Sequence, residues 1–343
     1  MRAWEIVSDG GIDALDLNER PTPEPGPGEV LLRIKASSIN YRDLSTIEDP
    51  VSRGLKYPMV PNSDGAGEIA ALGAGVTGFK VGERVASCFF ADWPAGPITP
   101  AAMASALGGA RPGVLAEYVV LPAGGVVRVP DHLSDREVAT LPCAALTAWH
   151  ALSVPEPLRP GERVLLLGTG GVSVFAQQFC NVMGASTIAI SSSDDKLQRM
   201  RDLGAAETIN YRTTPDWEKA VIDLTGGQGV DRVVEVGGPG TLQKSITAAK
   251  VSGTVALIGI LTGGKGQVTP TDIMRKSITL RGIYVGSGAM FEAMNRAIAQ
   301  HELKPVIDES FAFENARAAY HAMRAAGHFG KLVIDVASQV RDD

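Results

Sequence analysis

Residues 163–173 read Arg-Val-Leu-Leu-Leu-Gly-Thr-Gly-Gly-Val-Ser, and no other stretch restricts the fold of this chain as much. The apolar run Arg163–Leu167 is a buried strand, and Val172–Met183 carries a helix that Gly184 stops. Four residues, Gly168-Thr169-Gly170-Gly171, turn the chain from one into the other. The free amides and dipole at such a helix start favour a pyrophosphate. Glycines at 168 and 170 permit the tight turn and a close backbone approach, while Ser173 stands where the pattern has its third small residue. Alone, the triplet is equally a plain strand-to-helix turn. Inside a βαβ unit it becomes a dinucleotide fingerprint, and Gly168, Thr169, Gly170, Gly171 and Val172 become cofactor contacts.

The flanking sequence supplies that unit. Ser186–Ile190, Asp231–Val236, Gly253–Ile258 and Leu280–Val285 are further apolar strands, with a helix over Lys196–Leu203 closed by Gly204. Continuous apolar strands alternating with helices predict a doubly wound parallel sheet of the Rossmann type. The first 125 or so residues differ: Glu29–Ala36, Gly67–Leu72, Gly82–Ser87 and Leu115–Val120 are short strands punctuated by Gly/Pro turns, which suggests a partly open β-barrel. Asp92–Pro112, rich in Ala, Gly and Pro, is a loop or a set of short helices over it. The tail adds a helix at Ala316–Ala325 and a strand at Lys331–Asp335. At 343 residues the chain suits two domains, and the reading is α/β, with residues 1–126 and 288–343 forming the barrel and 127–287 the Rossmann domain.

An acidic residue at the end of the second strand would hold the ribose hydroxyls of NAD and repel a 2′-phosphate. This chain has Ser191-Ser192-Ser193 and then Lys196, which suit a phosphate and point to NADP(H). Asp194 and Asp195 weigh against that choice, and an N-cap at Ser191–Asp195 is compatible with either cofactor. Gly237 and Gly259 end later strands at the carboxyl edge, where ligands sit in such sheets.

Net charge is −6 with no Lys/Arg stripe, which argues against nucleic acid and anionic membrane surfaces as partners. The longest apolar runs are too short to cross a bilayer. Three widely spaced cysteines and an N-terminus without an apolar signal region suggest a cytoplasmic protein. The five histidines match no metal-ligand spacing.

At Leu165–Ser173 the chain begins to resemble the medium-chain dehydrogenase/reductases, and the likeness extends over nearly its whole length. Pro25-Gly-Pro-Gly-Glu-Val30 looks like the family's N-terminal strand entry. Ser38-Ile-Asn40-Tyr41-Arg42-Asp43 resembles its first active-site loop and Pro61–Gly67 its second. Leu141–Trp149 resembles the helix under the nicotinamide, and Gly330-Lys331 the closing strand. The resemblance implies a GroES-like catalytic domain beside the Rossmann domain. It also places Asn40 and Ser63 where zinc-dependent members have Cys and His ligands, with Cys143 at the third position. One thiolate does not hold a catalytic zinc, which needs three protein ligands, and the four-cysteine structural lobe is missing from residues 90–115. No metal is therefore expected.

Without a Lewis acid, hydride transfer to a quinone or an α,β-unsaturated carbonyl is easier than oxidation of a simple alcohol, because charge spreads to a distant oxygen that hydrogen-bond donors can hold. An NADPH-dependent reductase of such a small-molecule acceptor is the expectation. The alternatives are zinc-independent alcohol/ketone interconversion and a catalytically idle NADP(H)-binding protein. Tyr41 is the first candidate to face the substrate, against the alternative of a core aromatic, with Asn40 sharing the task and Asp43 bracing the loop and the neighbouring domain. Arg42 is a surface ion-pair residue or a clamp on the substrate carbonyl. By resemblance Thr147 touches the nicotinamide carboxamide or ribose, Tyr211 flanks the adenosine phosphate, and Lys331 approaches the phosphates unless it is an exposed strand lysine. The family's habit of pairing at the last Rossmann strand implies a homodimer.

Overall fold

The structure, a computed structural model, describes residues 1–337, so 338–343 of the expected barrel segment lie outside the described residues. The chain divides into two compact units, one of Met1–Leu146 with Gly286 onward, the other of Thr147–Val285. The first crossing comes later than residue 126 and the second just before 288.

In the first unit the chain forms β1 (Arg2–Ile6), β2 (Leu15–Glu19), β3 (Glu29–Ser38), α1 (Tyr41–Glu48), β4 (Asp64–Leu72), β5 (Arg84–Ser87), α2 (Pro100–Met103), β6 (Tyr118–Pro122), β7 (Val126–Arg128) and α3 (Asp135–Ala139), then one π-helical turn at Leu141–Ala145. The second unit holds α4 (from Leu146 to Ser153), β8 (Arg163–Leu167), α5 (Gly171–Met183), β9 (Ser186–Ser191), α6 (Asp194–Asp202), β10 (Glu207–Asn210), α7 (Trp217–Leu224), β11 (Val230–Glu235), α8 (Pro239–Ala248), β12 (Ala249–Leu257), α9 (Pro270–Arg275) and β13 (Thr279–Gly282). The return supplies α10 (Gly288–Gln300), β14 (Ile307–Ala312), α11 (Ala316–Ala325) and β15 (Lys331–Asp335).

The later first crossing has a physical cause. β7 pairs with β5, Arg84 holds Asp135 at the start of α3 at 2.7 Å, and Arg136 forks onto Asp335 of β15. These bonds bind residues 126–146 to the first unit's sheet.

That sheet runs β14-β15-β3-β4-β5-β7, with β6 also on β3, and is antiparallel except for the β14–β15 pair. Its apolar side packs Val30, Leu32, Ile34, Ile69 and Val85 against Leu44 and Ile47 of α1 and Tyr320 and Met323 of α11. The segment after β5 is tied by aromatic contacts and an ion pair. Phe89, Phe90 and Trp93 meet edge to face at 4.7 and 5.8 Å between ring centres, and Arg111 pairs with Asp92.

The second unit is a six-stranded parallel sheet in the order β10-β9-β8-β11-β12-β13. From β8 the chain winds outward to β10, then restarts at β11 on β8's other side. The reversal lies between β8 and β11, so their carboxyl ends flank the crevice where open sheets of this kind bind ligands. Among the described residues no helix is long and apolar enough to cross a membrane.

Candidate functional site

Each unit carries its own group of candidate residues. In the second unit, Gly168 follows β8 with φ +73° and Gly170 is the N-cap of α5. No side chain caps that helix start. A Cβ added at 168 or 170 would meet nothing within 4 Å, so the turn fronts open space that only glycine leaves clear. Ser173 does more than stay small: its Oγ donates to the Leu167 carbonyl at 2.6 Å and fastens the helix to the strand that precedes it. Thr169 is buried beside the turn, and Gly171 and Val172 open α5 as expected.

The neighbouring helix starts are closed. Ser193 caps α6 through the Lys196 amide. At α8 the carboxylate of Glu235, fully buried, accepts from Gly237 N at 2.7 Å, Gly238 N at 2.9 Å and Thr241 Oγ1 at 2.7 Å, with Ser245 Oγ on its other oxygen. The chain's own anion fills that helix start. Gly237 and Gly259 are glycines for internal reasons as well, since a Cβ would collide with Thr241 at the first and with the Val236 carbonyl at the second.

At the end of β9, Tyr211 N donates to Ser191 O at 3.0 Å, which brings Ser191, Ser192 and the half-exposed Tyr211 together. Lys196 stands in the first turn of α6. Asp194, which argued against a phosphate, is tied to Asn210 Nδ2 at 2.8 Å. Arg212, next to Tyr211, is a cation that the sequence reading passed over; its signal was position in the turn just after β10, the strand adjoining β9. Thr147 is buried, 2% exposed.

In the first unit the register of β15 on β3 pairs Val333 with Ser38, and continuing it sets Lys331 opposite Asn40. Lys331 was expected at the cofactor phosphates or on an exposed strand face. It lies 3% exposed, and its Nζ donates to Ile39 O and Asn40 Oδ1, both at 2.6 Å. Asp43 accepts from Asn40 N at 2.9 Å. Arg42 does form an ion pair, its Nε 3.4 Å from Asp43 Oδ1, but a mostly buried one: Nη2 donates to Leu107 O at 2.6 Å and the guanidinium lies over the Phe89 ring at 4.4 Å. Tyr41 is 46% exposed, so it is not a core aromatic.

Asp64, missed in the sequence reading although it follows Ser63, completes the cluster. Its carboxylate accepts from Ser63 Oγ at 2.6 Å and from Cys143 N at 3.0 Å. Burial, with nearby Asp43, raises its pKa from 3.8 to about 6 against the opposing pull of Lys331, Ser63 and Asn40. Burial likewise raises Asp43, against Arg42, Asn40 and Lys331. Burial lowers Lys331, and Asp64, Cys143 and Asp43 pull it back up. The Cys143 thiol is pushed far above its ordinary value by burial and by Asp64, so it stays protonated. Asn40 Nδ2 leans on both carboxylates without a hydrogen bond of good geometry. Among the described residues no group of three or more His, Cys, Asp or Glu is placed to hold a metal ion.

Two family descriptions match the chain: "Alcohol dehydrogenase GroES-like domain" over residues 26–131 and "Zinc-binding dehydrogenase" over residues 171–300. A zinc-type alcohol dehydrogenase-like protein of Schizosaccharomyces pombe is 42% identical over 95% of this chain and 96% of its own. Among solved structures, an NAD-dependent alcohol dehydrogenase is 34% identical, with a TM-score of 0.89 over 98% of this chain and all of that one, 100%. A mycobacterial protein complexed with NADPH is 26% identical, with a TM-score of 0.81 over 97% and 99%. A quinone oxidoreductase of Pseudomonas syringae is 27% identical, with a TM-score of 0.82 over 97% and 99%.

Proposed function

Because the chain belongs to the medium-chain dehydrogenase/reductase superfamily, in its alcohol dehydrogenase-like branch, and is thus an oxidoreductase with a nicotinamide cofactor, we propose that it is an NADPH-dependent reductase of quinones or α,β-unsaturated carbonyls that works without zinc. The observation that carries the metal-free part is the state of the three positions matched to zinc ligands. Asn40 offers an amide oxygen already taken by the Lys331 ammonium and Ser63 a hydroxyl that donates to Asp64, which leaves Cys143 alone among the three as a usual zinc donor. Zinc asks for deprotonated thiolate or neutral imidazole donors around an open position. These donors do not fit it.

A nucleotide fits the second unit. The uncapped start of α5 and its Gly-lined turn receive the pyrophosphate, while Ser192, Lys196, Tyr211 and Arg212 favour a 2′-phosphate, and Thr147 serves the nicotinamide end. When bound, a reduced nicotinamide supplies the hydride. The acceptor gains that hydride at carbon and a proton at oxygen. In the first unit the Tyr41 hydroxyl and the Asn40 amide are the donors offered to the oxygen as it becomes negative, in a setting where such donors act strongly. Asp43 holds the loop that carries them.

Steady-state assays decide the class: NADPH oxidation with 1,4-quinones and enones against NADP⁺ reduction with alcohols. Turnover with alcohols alone would favour zinc-independent alcohol/ketone interconversion, a reading to which the alcohol dehydrogenase names of the relatives lend weight. Tight NADPH binding without turnover across the panel would make the protein an idle nucleotide binder.

A homodimer belongs to the same proposal. β13 is an exposed edge strand, with Leu280 on it 37% exposed, and such edges invite pairing. Light scattering at twice the chain mass is the expected result. A cytoplasmic setting is in keeping with three free cysteines.

A further inference from the structure

We propose that Lys331 is a positioning residue that fixes the Asn40–Tyr41 turn, and not a contact for the nucleotide's phosphates. Its first support is register. The β15–β3 pairing delivers residue 331 to residue 40 as a matter of backbone geometry, and Ile39 N bonds Leu332 O at 3.1 Å to secure it. Its second is how the ammonium is used. Two of its three N–H groups are spent on Ile39 O and Asn40 Oδ1 at 2.6 Å, in a group only 3% exposed. A phosphate would have to open the buried cluster to reach it.

The third support is what those bonds determine. An ammonium has only donors, so it selects the oxygen of the Asn40 carboxamide and turns the amide nitrogen to the other side. Asn40 Nδ2 is thereby left buried beside the Asp43 and Asp64 carboxyls, with no hydrogen bond of good geometry. The bond to Ile39 O holds the residue before Asn40, the N-cap of α1, whose next residue is the exposed Tyr41. Lys331 also sets a positive charge among the buried carboxyl groups of Asp43 and Asp64, and removing it leaves Asp43 with Arg42 alone and takes from Asp64 the cation that opposes its burial. The catalytic consequence rests on the reading that Asn40 and Tyr41 face the acceptor; the positioning itself does not.

The test uses the full chain with Lys331→Met, Lys331→Arg, Asn40→Leu and the Lys331→Met/Asn40→Leu pair. NADPH affinity by fluorescence, hydrogen exchange over residues 39–48, and kcat with a quinone are read on each. Lys331→Met is expected to leave the NADPH Kd within about twofold, speed exchange at residues 39–44 at least about tenfold, and lower kcat by roughly tenfold or more. Lys331→Arg, which keeps the charge, should restore slow exchange. The pair should lose no more than the worse single change, because both act through one contact. An NADPH Kd raised about tenfold with exchange unchanged would make Lys331 a phosphate ligand and overturn the proposal, as would fully additive losses. Should Lys331→Met fail to fold, Asn40→Leu and Lys331→Arg carry the same comparison. Should the wild-type protein reduce no acceptor, the proposed function falls while exchange and affinity still decide the role of Lys331.

Discussion

The carboxylate of Glu235 accepts the amide of Gly238 at 2.9 Å, so the chain's own anion sits at the start of α8. Glu235 answers four donors in a fully buried setting. Glu235→Ala should cost about 3 kcal/mol, since buried donors left unpaired lose roughly 1–3 kcal/mol each and partial relaxation recovers some. Urea denaturation checks this; a loss under about 1 kcal/mol would show that water replaces the carboxylate.

The start of α5 has no such internal anion. Gly170 has φ −78° and ψ −178°, an extended backbone any residue adopts, and a Cβ there meets nothing. Gly170→Val should therefore leave the denaturation midpoint nearly unchanged while weakening NADPH binding at least about tenfold, because the branched side chain fills the space the pyrophosphate needs. Unchanged binding would move the nucleotide site elsewhere.

Ser192→Asp tests cofactor choice. A carboxylate close to a 2′-phosphate should weaken NADPH by roughly tenfold at low salt and less at high salt, with NADH little affected or tightened. Parallel changes for both nucleotides would mean that Ser192 does not face the phosphate.

Asp64 makes stability depend on pH. Its carboxyl titrates near 3.8 when unfolded and at about 6 when folded, so between those values the native state holds more protons. Stability then falls as pH rises through that window, by about 3 kcal/mol in all, and the fall is complete above the folded value. Asp64→Asn should lack this dependence, and its stability relative to wild type should improve by a similar amount from pH 4 to pH 7. A constant difference across that range would place the burden on another group.

Metal analysis of protein purified without chelator should find less than about 0.1 zinc per chain, and EDTA should leave the thermal midpoint unmoved. One equivalent of zinc would reverse the reading of Asn40, Ser63 and Cys143.

Local grammar carried the second unit. Arg163–Leu167 is a strand over the expected residues because four apolar positions, Val164–Leu167, next to a glycine turn admit little else, and Ala316–Ala325 and Lys331–Asp335 also match their expected bounds. β1, β2 and β14 were not legible; their residues mix charged and apolar side chains, and only partners distant in sequence make them strands. The polar cluster failed to show for the same reason. Lys331 and Asn40 are 291 positions apart, and a lone lysine at a strand start gives no sign that it will be buried against an asparagine. Nor does Arg42, next to Tyr41, announce that it will lie over Phe89.

The first unit's split across the sequence bears on how the chain emerges from the ribosome. The Rossmann sheet is one continuous stretch and can form as soon as β13 has left the exit tunnel. The barrel cannot, because β15 closes it against β3 and brings the one ammonium bonded at Asn40. Until that last strand arrives, Asp43 and Asp64 have no Lys331 beside them and the β3 edge is bare over Ala36–Ser38. A chain stopped short of residue 331 would be half finished in a specific way, a candidate for chaperones and proteases with a sound nucleotide domain attached.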